Sequence, residues 1–191
     1  MNLGLLGGTF DPIHVGHLRA AENARESLDL HEILFVPARQ SPHKSTTTAG
    51  AEERLTMARL ATAQHPQFSV SDLELRRPAP SYTVDTVTEL CAARPQDRLF
   101  LIVGSDTFPE LATWRAATRL FELCTLAVVT RPGQPAPDPD QMAGARVKLA
   151  DGPGLAVSSS EIRQRLRAGL GVRYLVPDAV LDYLTQHELY R

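Results

Sequence analysis

The chain has 191 residues, the length of one ordinary domain, with 43% hydrophobic and 22% charged residues. A formal net charge of −2 without a basic stripe argues against nucleic acid as a partner. No apolar run approaches the roughly 18 residues of a membrane span, and no basic leader precedes the first strand, so we expect a cytoplasmic protein without membrane contact. Cys91 and Cys124 stand in apolar surroundings, which predicts buried free thiols.

The stretch from Leu3 to Leu18 (LGLLGGTFDPIHVGHL) combines an apolar strand, a glycine turn and a helix start. The strand breaks at Gly7-Gly8, and the helix begins at about His14–Gly16. In α/β folds this order builds a phosphate site, because the glycines admit a ligand close to the backbone and the helix start offers N–H donors. We therefore predict an anion site at this turn.

His14 and His17 are three residues apart, so a first helical turn points both the same way. Two imidazoles at a helix start favour contact with phosphate oxygens. A zinc site and an inert surface pair are the alternatives, although no Cys or further His lies nearby to complete a zinc site. Neither a Walker A loop nor G-x-G-x-x-G after Leu6 occurs.

The first helix is predicted to run to about Leu28, and Ile33–Val36 reads as a central parallel strand. The following loop, Pro37 to Gly50, leaves that strand at the sheet edge where ligands bind. It carries Arg39, His43 and Lys44, so Lys44 is a candidate phosphate contact, unless the loop is only solvated.

A second helix is predicted over Ala51–Gln64, and Phe68–Leu75 is strand-like with a bend near Ser71–Asp72. Ser81-Tyr82-Thr83 then opens a third helix, with Thr83 or Ser81 as its N-cap. This helix start either binds a ligand at the same edge or only caps the helix.

Leu99–Val103 is the clearest buried strand, and Gly104-Ser105-Asp106 follows it. Asp106 is a candidate acceptor of hydrogen bonds from a base or ribose. Trp114 is either a core anchor or a stacking surface for an aromatic ligand. Cys124–Thr130 is the fifth strand, with Arg131 at its tip.

Residues 132–145 contain four prolines and read as a surface excursion without chemistry, before a weaker strand at Arg146–Leu149. Val157–Arg163 (VSSSEIR) is another helix start, whose serines and arginine suit a polyphosphate. The alternative is a well-capped basic helix. Gly169–Gly171 ends it, and Pro177 to about Glu188 is the last helix.

The motif GGTFDPIHVGHL, with H-x-G-H at His14–His17, resembles the signature of the nucleotidylyltransferase superfamily, and most closely its bacterial nicotinate-nucleotide adenylyltransferases. Further segments match that family in order and at similar spacing: PHK (Pro42–Lys44), SYTVDT (Ser81–Thr86), GSDTF with Trp114, VVTRPG (Val128–Gly133) and SSSEIR (Ser158–Arg163). Ser160, where Thr is common, and Val157, where Ile is usual, depart mildly from the pattern.

The resemblance implies an α/β fold, a doubly wound, Rossmann-like parallel sheet of five to six strands with helices on both faces. It implies one domain over 1–191 with a helical segment, 155–191, packed on it. It also implies adenylyl transfer from ATP to nicotinate mononucleotide, giving deamido-NAD and pyrophosphate, with Mg²⁺ carried by ATP rather than by protein side chains. An amide nucleotide or phosphopantetheine as acceptor, and a non-catalytic ATP-binding module, are the alternatives.

The resemblance also assigns the site. The residues implied in catalysis are His14, His17 and Arg163. Those implied in ATP binding are Gly7, Gly8, Thr9, Phe10, Lys44, Gly104, Asp106, Arg131, Ser158 and Ser159. Ser81, Tyr82 and Thr83 would hold the pyridine carboxylate, and Trp114 would stack on the ring. A homo-oligomer is possible.

Overall fold

The computed structural model describes residues 1–42, 47–130 and 137–191. The strands in these ranges are β1 (Asn2–Gly8), β2 (Glu32–Pro37), β3 (Phe68–Val70), β4 (Arg98–Gly104), β5 (Thr125–Val129) and β6 (Arg146–Ala150). The α-helices are α1 (Val15–Ser27), α2 (Ala51–Thr62), α3 (Thr83–Ala93), α4 (Ala117–Leu123), α5 (Ser159–Arg167) and α6 (Asp178–Gln186). Two 3₁₀ helices span Phe108–Thr113 and Pro139–Gln141.

The described strands form one parallel sheet in the order β3-β2-β1-β4-β5-β6. The chain winds outward from β1 in one direction, then returns to the other side of β1 as β4. The carboxyl ends of β1 and β4 therefore border the crevice at which doubly wound sheets bind ligands. This topology confirms the predicted fold, including the weaker sixth strand.

Side chains alternate between the two faces of the sheet, so each face has its own core. Ile33 and Phe35 of β2 point to one face, which α1, α2, α5 and α6 cover. Leu34 and Val36 point to the other, which α3, α4 and the first 3₁₀ helix cover. The nearly continuous apolar runs in the sequence thus correspond to strands that helices cover on both faces of the sheet.

The predicted strand Phe68–Leu75 is wrong beyond Val70. The backbone N–H of Ser71 still donates to Phe35, but the N–H of Leu75 donates to the carbonyl of Asp72 and closes a turn. This turn buries Leu73 and Leu75. In an extended strand these two side chains would also lie on the same face of the sheet. The alternation of apolar residues is interrupted near Ser71–Asp72 because the strand ends there, and not because it contains a bulge.

Two other local predictions differ from the structure. Tyr82, not Ser81 or Thr83, is the N-cap of α3, because the Ser81 hydroxyl accepts a hydrogen bond from the backbone N–H of Arg39 at 3.0 Å. Cys124 is buried, and burial raises the pKa of its thiol to about 12, but Cys91 is only half-buried. No helix among the described residues is long and apolar enough to cross a membrane.

The turn after β3 carries a buried carboxylate. Glu74 is 6% exposed, and its Oε1 accepts a hydrogen bond of 2.5 Å from the Thr86 hydroxyl on α3. Arg77 Nη2 lies 3.8 Å from Glu74 and also contacts Thr86. Burial raises the pKa of Glu74, while the Thr86 hydrogen bond and the charge of Arg77 oppose this shift. This network fastens α3 to the segment that precedes it.

A fully buried guanidinium holds the loop between β2 and α2. Arg54 on α2 is 0% exposed and donates to Thr9 at 2.6 Å, just after β1. It also donates to Ala38 and Arg39 after β2, at 2.7 and 3.0 Å, and to Ala49 before α2, at 3.3 Å. Burial lowers the pKa of Arg54, and the charge of Asp11 partly offsets this. One side chain thus ties both ends of the loop to the turn after β1.

Replacing Arg54 should therefore destabilise the fold strongly. We expect Arg54→Ala to lower the free energy of unfolding by about 3–5 kcal/mol, because it leaves four main-chain carbonyls without their donor and removes a buried positive charge near Asp11. Arg59→Ala, at an exposed position of the same helix, should change it by less than about 0.5 kcal/mol. Urea unfolding measures both variants, and equal losses would contradict the role of Arg54.

The raised pKa of Glu74 predicts a pH effect with a definite sign. A carboxyl whose folded pKa lies above its ordinary value of 4.5 stabilises the fold below that value and loses this contribution as the pH rises through the folded pKa. The unfolding free energy of the native chain, relative to Glu74→Gln, should therefore fall as the pH rises above 4.5.

Glu89→Gln is the matched control, because Glu89 also faces Arg77, at 3.4 Å, but its side chain is 50% exposed. Urea unfolding from about pH 4 to about pH 8 compares the three proteins. A native-to-Glu74→Gln difference that stays constant with pH would show that burial does not disfavour the charged carboxylate.

Candidate active site

The two histidines of the H-x-G-H motif lie together at the start of α1, in front of β1. Their rings stack with centroids 3.7 Å apart and planes inclined by 27°. The backbone N–H of His14 donates to Nδ1 of His17 at 3.2 Å, and His14 is 3% exposed. The helical spacing therefore brings the imidazoles to one side of the turn, as the sequence predicts.

Two glycines in this stretch make room for aromatic side chains. A Cβ on Gly16 would lie 3.0 Å from Nδ1 of His14, so a larger residue would press on that ring. A Cβ on Gly8 would lie 2.8 Å from the ring of Phe10. Phe10 itself has φ = +51°, is 2% exposed and meets His17 edge-on at 5.1 Å between centroids. The Phe10 side chain thus supports His17 from the core, and only its backbone is available to a nucleotide.

Gly7 has a different environment. A Cβ there would meet no atom within 4 Å, and the residue is exposed at the carboxyl end of β1. The space beside it is open to a ligand, in agreement with the predicted close approach at this turn.

A cleft opens beside the histidines, between α1 and the ends of β4 and β5. Gly104 lines it together with His14 and His17. The remaining lining comes mainly from apolar side chains and from the segment that joins β6 to α5: Leu6, Gly16, Arg19, Ala20, Asn23, Ile102, Val103, Val129, Thr130, Pro153, Gly154, Leu155 and Val157.

The wall formed by residues 153–157 was missed by the sequence reading. Asn23 on α1 is 1% exposed and donates to the carbonyl of Pro153 at 3.2 Å. Arg19 in turn donates to Asn23 Oδ1 at 2.6 Å. The contact joins positions 130 residues apart, so no local pattern indicates it.

The start of α5 joins the same site. Ser158 caps the helix by accepting a hydrogen bond from the N–H of Glu161 at 3.1 Å. The Ser159 hydroxyl donates to the carbonyl of Pro12 at 2.8 Å, and Arg163 Nη1 donates to the carbonyl of Asp11 at 2.7 Å. The fold therefore brings SSSEIR against the glycine-histidine turn, as the resemblance implies.

Asp11 organises this contact, and the sequence reading passed over it. It is 5% exposed, and its carboxylate accepts hydrogen bonds from the backbone N–H groups of Thr48 and Ala49, each at 3.0 Å. Oδ1 also accepts a hydrogen bond of 2.7 Å from the hydroxyl of Tyr190. Its partners lie 37, 38 and 179 positions away, so nothing adjacent in the sequence reveals the role.

A second group of predicted residues meets at the start of α3. Ser81 is anchored on both sides, since its N–H donates to Gln40 at 2.9 Å while its hydroxyl accepts from Arg39. The guanidinium of Arg115 lies 4.4 Å from the centroid of the Tyr82 ring, a cation–π contact. Arg115 follows Trp114, so the end of the 3₁₀ helix and the helix start at Thr83 are held together.

Trp114 is half-buried and packs against the core on the α3 and α4 face of the sheet. It therefore contributes to packing while part of the residue stays exposed. Asp106 is exposed in the turn after β4, where its Oδ1 accepts a hydrogen bond from the N–H of Thr107 at 3.1 Å. Lys44 and Arg131 lie outside the described residues.

The polar groups of the site are suited to an anion. Imidazoles, a guanidinium, serine hydroxyls and the N–H groups at two helix starts are donors to phosphate oxygens. Over residues 1–42, 47–130 and 137–191, no group of three or more His, Cys, Asp or Glu side chains is placed to hold a metal ion.

Comparison with known proteins agrees with this geometry. The family model described as cytidylyltransferase-like matches residues 5–165. A Thermus thermophilus protein named "Probable nicotinate-nucleotide adenylyltransferase" is 49% identical over 191 residues, covering 100% of both chains. A protein of the same name from Herpetosiphon aurantiacus is 44% identical over 194 residues and covers 98% of each chain.

Among solved structures, Plasmodium falciparum nicotinic acid mononucleotide adenylyltransferase complexed with NaAD has a TM-score of 0.84. The match covers 99% of this chain and 97% of that one at 21% identity, so it bears on the fold. The sequence relatives establish more than the fold. The chain belongs to the cytidylyltransferase-like family and, within it, to the nicotinate-nucleotide adenylyltransferases.

Proposed function

We propose that this protein transfers the adenylyl group of ATP to nicotinate mononucleotide, giving deamido-NAD and pyrophosphate in NAD biosynthesis. One observation carries the proposal: the stacked pair His14 and His17 is joined to Ser159 and Arg163 through the backbone of Asp11 and Pro12. Donors from both ends of the chain thus form one phosphate-binding group, in a family whose relatives carry this activity in their names.

The phosphate-binding group would bind the triphosphate of ATP. His14, His17 and the start of α5 with Arg163 lie around the turn that follows β1. Their donors and positive charge stabilise the charge that grows on the α-phosphate and on the departing pyrophosphate. Ser158 and Ser159 open the helix whose first N–H groups face the same anion.

The acceptor needs no activation by the protein. The phosphate of a mononucleotide is mostly ionised near neutral pH, because its second pKa is about 6. Catalysis then consists of holding the acceptor phosphate in line with the α-phosphate of ATP and neutralising charge. A serine or cysteine nucleophile and a covalent intermediate are not required.

The adenosine would occupy the cleft beside the histidines. Apolar side chains such as Ile102 and Val129 line it, as a flat base requires, and Gly104 admits the nucleotide close to the end of β4. Asp106 lies exposed beyond that strand, where its carboxylate would accept a hydrogen bond from a ribose hydroxyl.

The pyridine ring would lie at the start of α3. N–H groups of Tyr82 and Thr83, at the positive end of a helix, suit a carboxylate, whereas an amide brings an NH₂ donor of its own. Trp114 supplies an aromatic surface nearby. The anchoring of Ser81 and the buried Glu74–Thr86 hydrogen bond hold this helix start in place.

A divalent cation, Mg²⁺ in our proposal, would be bound through the phosphates of ATP. The donors around the turn fit phosphate oxygens rather than a cation, so the cation would rely on phosphate and water oxygens. When bound, it would neutralise part of the charge on the phosphates.

Acceptor selectivity tests the proposal directly. Pyrophosphate release with Mg-ATP should be fastest with nicotinate mononucleotide, compared in parallel with nicotinamide mononucleotide and phosphopantetheine. Preference for another acceptor would keep the phosphate site but refute the assigned carboxylate site at Tyr82–Thr83. ATP binding without pyrophosphate release from any acceptor would instead indicate a non-catalytic module.

The role of His17 predicts a large kinetic effect. His17→Ala should lower kcat by roughly 10²-fold or more, the loss typical of one donor to the transition state, while the chain stays folded. His31→Ala is a matched control, because His31 is exposed and precedes β2 at the opposite edge of the sheet. A kcat for His17→Ala close to that of His31→Ala would refute the role.

A further inference from the structure

The second-to-last residue of the chain reaches the phosphate-binding turn. Tyr190 follows α6 and is 5% exposed, and its hydroxyl donates to Oδ1 of Asp11 at 2.7 Å. The ring packs in the core shared by α1, α2 and α6. Burial raises the pKa of Tyr190, and the hydrogen bond to Asp11 raises it further, so the hydroxyl remains a donor.

Asp11 connects this hydroxyl to three parts of the site. Its two carboxylate oxygens each accept one backbone N–H, from Thr48 and Ala49, at the end of the loop that precedes α2. Its main-chain carbonyl accepts a hydrogen bond from Nη1 of Arg163, and the same nitrogen lies 3.9 Å from Oδ2 of Asp11. His14 stands three residues further along the turn.

The hydroxyl contributes something that packing alone does not. A carboxylate rotates about its Cβ–Cγ bond unless its oxygens are held, and here Oδ1 is shared by the N–H of Ala49 and the Tyr190 hydroxyl. A buried carboxylate that loses one donor is left partly unsatisfied and shifts toward its remaining partners. The displaced carboxylate would shift residues 48–49 at the end of the loop and the turn that carries His14.

We propose that Tyr190 is a positioning residue for adenylyl transfer, whose hydroxyl holds the Asp11 carboxylate and so aligns the residue 48–49 segment and the His14 turn with Arg163. The inference rests on the proposed function. Tyr190 touches no substrate in this account and acts through Asp11. The carboxyl end of the chain is thereby part of the site at its amino end.

The test compares Tyr190→Phe with Tyr183→Phe in the full-length protein. Each removes one tyrosine hydroxyl from the C-terminal segment, but the Tyr183 ring lies tilted against His187 at the end of α6, with centroids 4.2 Å apart, whereas the Tyr190 hydroxyl is bonded to Asp11. The measurements are kcat and KM for pyrophosphate release from Mg-ATP and nicotinate mononucleotide, the thermal midpoint, and amide hydrogen exchange at Thr48 and Ala49.

We expect Tyr190→Phe to lower kcat roughly tenfold, with KM for the acceptor unchanged, because misalignment affects the transition state more than acceptor binding. Exchange at Thr48 and Ala49 should be at least about fivefold faster than in the native chain. Tyr183→Phe should match the native chain in both measurements.

A double-mutant cycle shows whether the effect passes through Asp11. The variant that combines Asp11→Ala with Tyr190→Phe should be no slower than Asp11→Ala alone, because the hydroxyl then has no side-chain oxygen at position 11 to hold. Additive losses in kcat would overturn the proposal, since Tyr190 would be acting by another route.

Two other results would overturn the proposal. A lower thermal midpoint with unchanged kcat would make Tyr190 a packing residue only. A lower kcat without faster exchange at Thr48 and Ala49 would exclude the route through the loop end.

Failure of the proposed function is distinguishable from failure of this inference. A native chain that releases no pyrophosphate would refute both. An active native chain with an equally active Tyr190→Phe would refute the inference alone.

Discussion

A pair of buried opposite charges, Asp11 and Arg54, supports the turn after β1. The turn and the neighbouring loop ends carry backbone carbonyl and N–H groups that are buried or partly buried. Such groups need partners inside the protein. Arg54 donates to four carbonyls, and Asp11 accepts from two N–H groups. The two side chains thereby fix the irregular backbone that carries His14 and His17.

The doubly wound topology explains why these groups meet. Every strand ends at the same edge of a parallel sheet, and the order reverses between β1 and β4. The histidine turn after β1 and Gly104 after β4 therefore border one cleft. The start of α3 lies on the other face, supported by Glu74 and by Arg39 of the loop between β2 and α2. In the proposed reaction, this sheet edge would hold the two nucleotides at separate places and their phosphates between them.

Local arrangement, rather than overall charge, makes the site suitable for anions. The chain carries a formal net charge of −2, and yet imidazoles, a guanidinium and two helix starts converge on the turn. The carboxylate of Asp11 at the centre of this group is held by backbone N–H groups and by Tyr190. Its charge is therefore balanced by these donors, by Arg163, whose Nη1 lies 3.9 Å from Oδ2, and by the charge of Arg54.

The sequence by itself determined the parallel sheet and its helices, because strand periodicity and glycine turns act over a few positions; the candidate site residues that it indicated remain predictions. It mispredicted the segment after Val70, where a local turn between Asp72 and Leu75 replaces the strand, and the N-cap of α3, where the Ser81 hydroxyl bonds the distant Arg39. Only the tertiary structure decided the roles of Asp11, Arg54, Glu74, Asn23 and Tyr190. Their hydrogen bonds cross up to 179 positions, and a buried polar side chain can be assigned a function only when its partners are known.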